Sequence, residues 1–157
     1  MGVNISVKEL KNFLDKANKN TYANKNAKKS EPTRLKSEDY QFEEDNLIYH
    51  DTYFGARDFI GEEIVYKDKI PVWGANYFGF IIDSSVSEKE VYDFLRKALI
   101  QNHESEISVR GPEEFSEGDW IYRFSVKGSL ANFSGSEEIL VNRKVVYRCF
   151  VHGGFVN

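Results

Sequence analysis

The chain of 157 residues is poor in cysteine, methionine and proline, with one, one and three of them. A single cysteine, Cys149, excludes an internal disulfide and a zinc site built from several cysteines. No apolar run approaches the roughly 18 residues that a membrane span needs, and no signal peptide precedes Val7. We therefore expect a cytoplasmic protein with no membrane partner.

The sequence also lacks an excess of positive charge and the common catalytic motifs. Its formal net charge is −4, and only the stretch 16–36 is basic, so we do not expect direct nucleic-acid binding. No serine elbow, phosphate loop or dinucleotide fingerprint occurs. His50, Asp51 and His152 have no established metal-ligand spacing. We predict neither a metal nor a cofactor.

Aromatic residues, in contrast, are abundant: 12 Phe, 9 Tyr and 2 Trp make up 15 % of the chain. Aromatic side chains favour pleated, half-buried surfaces, which indicates a strand-rich fold. Some of them could instead line a ligand pocket. The length suits one compact domain, 1–157, with a full core.

Two amphipathic helices are predicted, each with a capping box at its start. Ser6 precedes Glu9 by three residues, and Ser87 precedes Glu90 in the same way. Apolar residues then recur at helical spacing in both segments. They are Val7, Leu10, Phe13, Leu14 and Ala17 in the first, and Val91, Phe94, Leu95 and Ala98 in the second.

The rest of the chain divides into a polar loop, an irregular segment and strands. The polar stretch 18–37 is predicted as a loop, either a plain connection or a lid over a nearby cavity. The stretch 101–118 is predicted to be irregular. Alternating apolar residues and short turns predict antiparallel strands. These cover 39–43, 47–54, 59–66, 71–82, 119–127, 132–141 and 144–155.

The two halves of the chain resemble each other. The segment Glu9–Ala17 aligns without a gap with Glu90–Ala98, and Phe59-x-Gly61-x-Glu63-x-Val65 aligns with Phe133-x-Gly135-x-Glu137-x-Ile139. In the same register Trp73 corresponds to Tyr147. The order helix, then three strands, predicts a duplicated unit, with halves 5–82 and 87–157.

This pattern predicts an α+β fold. Duplicated α-β-β-β halves would form one curved antiparallel sheet of six or seven strands, packed on two helices. One helix on three strands is too small for a core of its own, so the halves would share the sheet. A cavity is expected between them or on the concave face.

Two pairs of adjacent glutamates lie within apolar strands: Glu62 with Glu63, and Glu137 with Glu138. Neighbouring strand residues face opposite sides, so one glutamate of each pair is expected to point inward. A buried carboxylate needs a cation or hydrogen-bond donors. The alternatives are a pocket glutamate that meets a cationic or polar ligand, an internal salt bridge, or two solvated glutamates on an outer face. The predicted ligand-binding residues are Glu63, Trp73, Asn76, Tyr77, Arg110, Glu137 and His152.

Several of these motifs resemble the domain of unknown function 5680 family. They include Tyr49-x-Asp51-x-Tyr53-Phe54-Gly55, Phe59-x-Gly61-Glu62-Glu63, Pro71-Val72-Trp73-x-x-Asn76-Tyr77-x-Gly79, Arg110-Gly111-Pro112, Phe133-x-Gly135-x-Glu137-x-Ile139 and His152-Gly153-Gly154. Family members stand alone or follow a helix-turn-helix domain in bacterial regulators. The resemblance implies, by analogy, a sensor or effector module. It implies no catalytic residues.

We therefore expect a domain that binds a small cationic or aromatic molecule. The alternative is an interaction module that uses an exposed sheet face or edge, with a homodimer as one form of it. An enzyme that uses a glutamate as acid or base is a third hypothesis. Carboxylates that face open solvent would argue against the enzyme.

Overall fold

A computed structural model describes residues 4–157. Each helix begins at its expected serine cap: the Ser6 hydroxyl accepts a hydrogen bond from the Glu9 amide at 3.1 Å, and Ser87 accepts one from Glu90 at 3.4 Å. The elements are α1 Val7–Asn20, β1 Glu38–Glu44, β2 Leu47–Gly55, β3 Phe59–Lys67, β4 Ile70–Ile81, α2 Glu88–Leu99, β5 Glu114–Glu117, β6 Trp120–Ser129, β7 Asn132–Val141 and β8 Lys144–Phe155.

The eight strands form one open antiparallel sheet in the order β1-β2-β3-β4-β8-β7-β6-β5. An α+β fold with one sheet and two helices is thus confirmed, but the predicted count of six or seven strands is wrong. The missed strand is β5, in the segment expected to be irregular. It is short, mostly exposed and at the sheet edge, so no apolar alternation marks it.

Each half therefore consists of a helix and four strands, and the strand order is the same when read inward from either edge. The predicted unit of a helix and three strands was one strand short. The central strands β4 and β8 pair with Tyr77 opposite Val151. Trp73 stacks on Phe133 at 5.9 Å between ring centroids, and Phe59 stacks on Tyr147 at 6.4 Å. The two pairs correspond to each other, because Trp73 aligns with Tyr147 and Phe59 aligns with Phe133.

The core lies between one face of the sheet and the two helices. Both helices bury the apolar stripes that their sequences predict, except that Val7 is exposed. Neither α1 nor α2 packs against the opposite face of the sheet. No helix in the described part of the chain is both long and apolar enough to cross a membrane.

Candidate functional site

The two inward-facing glutamates are Glu63 on β3 and Glu137 on β7. Alternation along each strand directs these side chains toward the helices, and their solvent exposure is 6 % and 0 %. Their strand neighbours Glu62 and Glu138 lie on the other face, where they pair with Arg34 and Arg148 respectively. The core thus contains one carboxylate from each half.

Glu137 has a complete set of partners within the protein. Arg110 donates two hydrogen bonds to it, from Nε at 2.8 Å and from a terminal nitrogen at 2.7 Å. The hydroxyls of Tyr122 and Tyr147 donate to its two oxygens at 2.7 and 2.9 Å. A two-pronged guanidinium contact with two further donors is the strongest arrangement available to a buried carboxylate. Glu137 therefore forms a structural ion pair with Arg110.

Glu63 has very different surroundings. Its partner across the β2–β3 ladder is Asp51, a second buried acid. Asp51 accepts a hydrogen bond from the Tyr77 hydroxyl at 2.5 Å, and the Tyr49 hydroxyl lies beside Glu63. Among residues 4–157, no Lys, Arg or His forms a salt bridge with either acid. Within the described residues, the first half therefore holds a carboxylate pair without a paired cation.

This arrangement raises the pKa of both acids. Burial, with Asp51 as the next cause, raises the pKa of Glu63 to about 8, although Arg110 and the Tyr49 hydroxyl act against the rise. Burial raises the pKa of Asp51 to about 6, against the opposing effect of the Tyr77 hydroxyl. Near neutral pH the pair consequently carries a single negative charge for most of the time.

Both acids line a cavity of about 290 Å³ between the first half of the sheet and the helices. Aromatic rings form much of its wall. Further lining comes from the end of α1 and the loop after it, and from α2. The aromatic lining residues are Tyr22, Tyr49, Tyr53, Phe59, Tyr77 and Tyr92.

Four other charged residues besides Arg110 line the cavity: Lys29, Glu38, Glu88 and Arg96. Lys29 and Glu38 neutralise each other in a salt bridge of 2.6 Å. Arg96 packs its guanidinium over the Tyr22 ring, 4.5 Å from the centroid. The cavity thus combines acidic, aromatic and basic lining.

Of the predicted ligand-binding residues, the structure places only Glu63, Tyr77 and Arg110 at the cavity, with Arg110 already bound to Glu137. Trp73 is fully buried, and its indole donates to the Leu130 carbonyl at 2.8 Å. Asn76 and His152 pair across β4 and β8 on the opposite, exposed face of the sheet. Glu137 does not line the cavity and is buried in the core, bound to Arg110, Tyr122 and Tyr147.

Asp51, Tyr22 and Arg96 were not predicted. Asp51 alternates with Tyr49 and Tyr53 along β2, and this parity could have identified it as an inward-facing acid. Tyr22 comes from the loop 18–37, in which Thr21, Ala23 and Lys29 also line the cavity. Arg96 is one of many charged residues on a helix, and only the packing of that helix shows that it faces a cavity.

Fold and site together define a small α+β domain with one continuous sheet and an acidic, aromatic-lined cavity beneath it. The model of the family described as Domain of unknown function (DUF5680) matches residues 51–156, which include the second part of β2, all of β3–β8 and α2. The chain belongs to this family. Neither the curated proteins nor the solved structures contain a significant match.

Proposed function

We propose that this domain binds a small cationic molecule in the cavity beside Asp51 and Glu63. The observation that carries the proposal is that these two acids are buried without a paired cation in the described part of the chain, whereas Glu137 binds Arg110. A buried negative charge is costly unless a cation or several donors compensate it. A protonated amine in the cavity would supply that compensation.

The walls of the cavity support the same class of ligand. Aromatic faces carry partial negative charge and attract ammonium groups, with an energy of about 0.5–2 kcal/mol each. Tyr22 and Tyr53 meet edge to face, with 6.2 Å between their ring centroids. The cavity volume of about 290 Å³ is near the lower end of the range for ligand sites. We therefore expect a metabolite-sized amine with an apolar or aromatic body.

The proposal is tested by calorimetry and thermal shift with para-methylbenzylamine and its neutral analogue, para-methylbenzyl alcohol. We expect the amine to stabilise the wild-type protein and the alcohol to have a much smaller effect. Glu63→Gln and Asp51→Asn should each weaken amine binding about tenfold or more, because each removes one of the two carboxyl groups that a bound cation would hold in the ionised form. Glu62→Gln, one residue away on the outer face, is the matched control.

Binding of the amine should strengthen between pH 6 and pH 8, because a bound cation favours the ionised form of Glu63. The proposal is contradicted if the amine leaves the wild-type melting temperature unchanged. It is contradicted equally if the amine binds Glu63→Gln and Asp51→Asn as tightly as it binds the wild type.

A second candidate function, dimerisation, is favoured by the uncovered face of the sheet. Phe78 and Phe150 pair directly across β4 and β8 there, and they are 45 % and 50 % exposed. Phe80 lies 5.5 Å from the Phe78 ring and 6.4 Å from the Phe150 ring, between centroids. Ile60 lies opposite Phe78 on β3. Contiguous exposed apolar groups of this kind commonly mark an interface.

Light scattering on the wild type and on Phe78→Ser tests this second candidate. A dimer that Phe78→Ser converts to a monomer, without change in amine binding, would support it. A wild-type protein that stays monomeric at high micromolar concentration would contradict it.

We further infer that the two halves arose by duplication of one helix-and-four-strand unit. The matching strand order and the paired ring stacks support this origin. By analogy with family members that follow helix-turn-helix domains, the ligand would act as an effector. A cytoplasmic location is also proposed, since the single cysteine, Cys149, is buried and free.

A further inference from the structure

We propose that the cavity selects a ligand with two ends, an amine at the sheet and a carboxylate or similar anion at Arg96. This inference rests on the proposed function, because the amine end is the cation that Asp51 and Glu63 would bind. It adds a second, oppositely charged recognition group on the helix side. The ligand class is therefore a compact zwitterion whose charges are separated by an apolar or aromatic spacer.

The charges around the cavity largely cancel in pairs. Arg110 is occupied by Glu137 at 2.7 Å, and Lys29 is occupied by Glu38 at 2.6 Å. Apart from Asp51 and Glu63, the remaining charged lining residues are Glu88 and Arg96. These two lie on α2 but eight residues apart, about 12 Å along the helix axis, so they do not neutralise each other.

Arg96 is held in place without being neutralised. Its Nε donates to the Tyr22 carbonyl at 3.3 Å, and its guanidinium lies over the Tyr22 ring. Within residues 4–157 no carboxylate forms a salt bridge with it. A guanidinium that is already oriented loses less conformational entropy when it binds an anion. Arg96 is thus a prepared anion-binding group.

The acids and the guanidinium belong to opposite walls of the cavity. Asp51 and Glu63 lie on β2 and β3, in the sheet layer, while Arg96 lies near the end of α2, in the helix layer. Tyr22 and Tyr53 form an aromatic surface between the two charged regions. A ligand that contacts both regions must span the layers with an apolar segment.

The test uses para-(aminoalkyl)benzoates with spacers of one to three methylenes, each compared with the same amine carrying a methyl group in place of the carboxylate. Binding is measured by calorimetry with the wild type, with Arg96→Gln and with Lys97→Gln. Lys97, the next residue of α2, pairs on the surface with Glu117 and serves as the matched control. Comparing each acid with its methyl analogue removes any general effect that Arg96→Gln has on the cavity.

We expect the carboxylate to raise wild-type affinity about tenfold for at least one spacer length, as one charge-assisted contact would do. Arg96→Gln should abolish this gain, and Lys97→Gln should preserve it. If a methyl analogue binds the wild type but the carboxylate gives no Arg96-dependent gain in affinity at any spacer length, the inference is overturned and the proposed function stands. If no member of either series binds, both are overturned.

Discussion

Glu63 and Glu137 occupy corresponding positions in the two halves, yet one lines a cavity and the other is sealed in the core. Glu137 receives a guanidinium and two tyrosine hydroxyls. Glu63 receives no cation from residues 4–157 and instead has the acidic Asp51 as its ladder partner. The same strand motif therefore serves as a structural ion pair in one half and as a candidate binding group in the other.

The difference between the halves comes from the segments that follow the helices. After α2, the chain delivers Arg110 into the core, where it reaches Glu137. After α1, the corresponding connection delivers Tyr22 and Ala23, which leave the space beside Glu63 open. Where two similar units share a sheet, the segments that follow the helices thus determine which buried carboxylate is paired with a cation of the protein itself.

The largest expected effect concerns the buried ion pair of Glu137 and Arg110. Arg110→Met should lower the free energy of unfolding by about 3–5 kcal/mol, because it leaves the Glu137 charge buried and without a cation. Urea unfolding measures this loss. Arg96→Met, which removes a guanidinium without a carboxylate partner, is the control and should cost about 1 kcal/mol or less.

The double variant Arg110→Met with Glu137→Leu should recover much of that loss, since it removes both charges together. A cost below about 1 kcal/mol for Arg110→Met alone would contradict the assignment of Glu137 as a structural ion pair.

The second largest effect concerns Glu63 in the cavity and the pH dependence that it gives to the free energy of unfolding. A carboxyl with a folded-state pKa above its unfolded value contributes stability at low pH, and this contribution is lost as the pH rises through the folded pKa. With the pKa of Glu63 raised to about 8, wild-type stability should fall between about pH 5 and pH 8. The free energy of unfolding of Glu63→Gln, relative to that of wild type, should rise by about 2–3 kcal/mol over that range. This is less than the whole pKa difference implies, because water in the cavity relieves part of the cost of the Glu63 charge.

Unfolding free energies of wild type, Glu63→Gln and the outer-face control Glu62→Gln would be compared at pH 5, 6.5 and 8. The control should follow the wild-type slope. A difference between Glu63→Gln and wild type that does not vary with pH would contradict the description of Glu63 as a buried acid without a cation.

The smallest effect compares Tyr49 with Tyr122, which correspond because they lie opposite the aligned residues Val65 and Ile139 in their ladders. Tyr122→Phe removes a donor to Glu137 and an acceptor for the Gly111 amide at 3.0 Å, so it should cost about 1–2 kcal/mol. Tyr49→Phe removes only the hydroxyl beside Glu63 and should cost about half as much or less. Urea unfolding of both variants tests the contrast, and an equal or larger cost for Tyr49→Phe would go against it.

Much of the fold could be predicted from local sequence patterns. The capping serines fixed the helix starts, and alternating residues in β2, β3, β7 and β8 identified the strands. Strand β5 could not be found this way, because four mostly exposed residues at an edge carry no such pattern. Parity predicted that one glutamate of each pair faces inward but did not decide which one, and the structure shows that these are Glu63 and Glu137.

The site was harder to predict because it depends on pairing between distant segments. Asp51 becomes a neighbour of Glu63 only through the β2–β3 register, and Arg110 reaches Glu137 from an irregular segment. Asn76 and His152 were chosen for their polarity within strands, but alternation places them on the outer face. Cavities depend on how layers pack, which local patterns do not encode.

The most direct test of the account is a carbon-13 NMR titration of the Glu63 side-chain carboxyl, assigned by comparison with Glu63→Gln. The account predicts a midpoint near pH 8 in the wild type and a lower midpoint in Asp51→Asn, because the neighbouring negative charge is removed. A wild-type midpoint near the ordinary glutamate value of about 4.3, unaffected by Asp51→Asn, would contradict it.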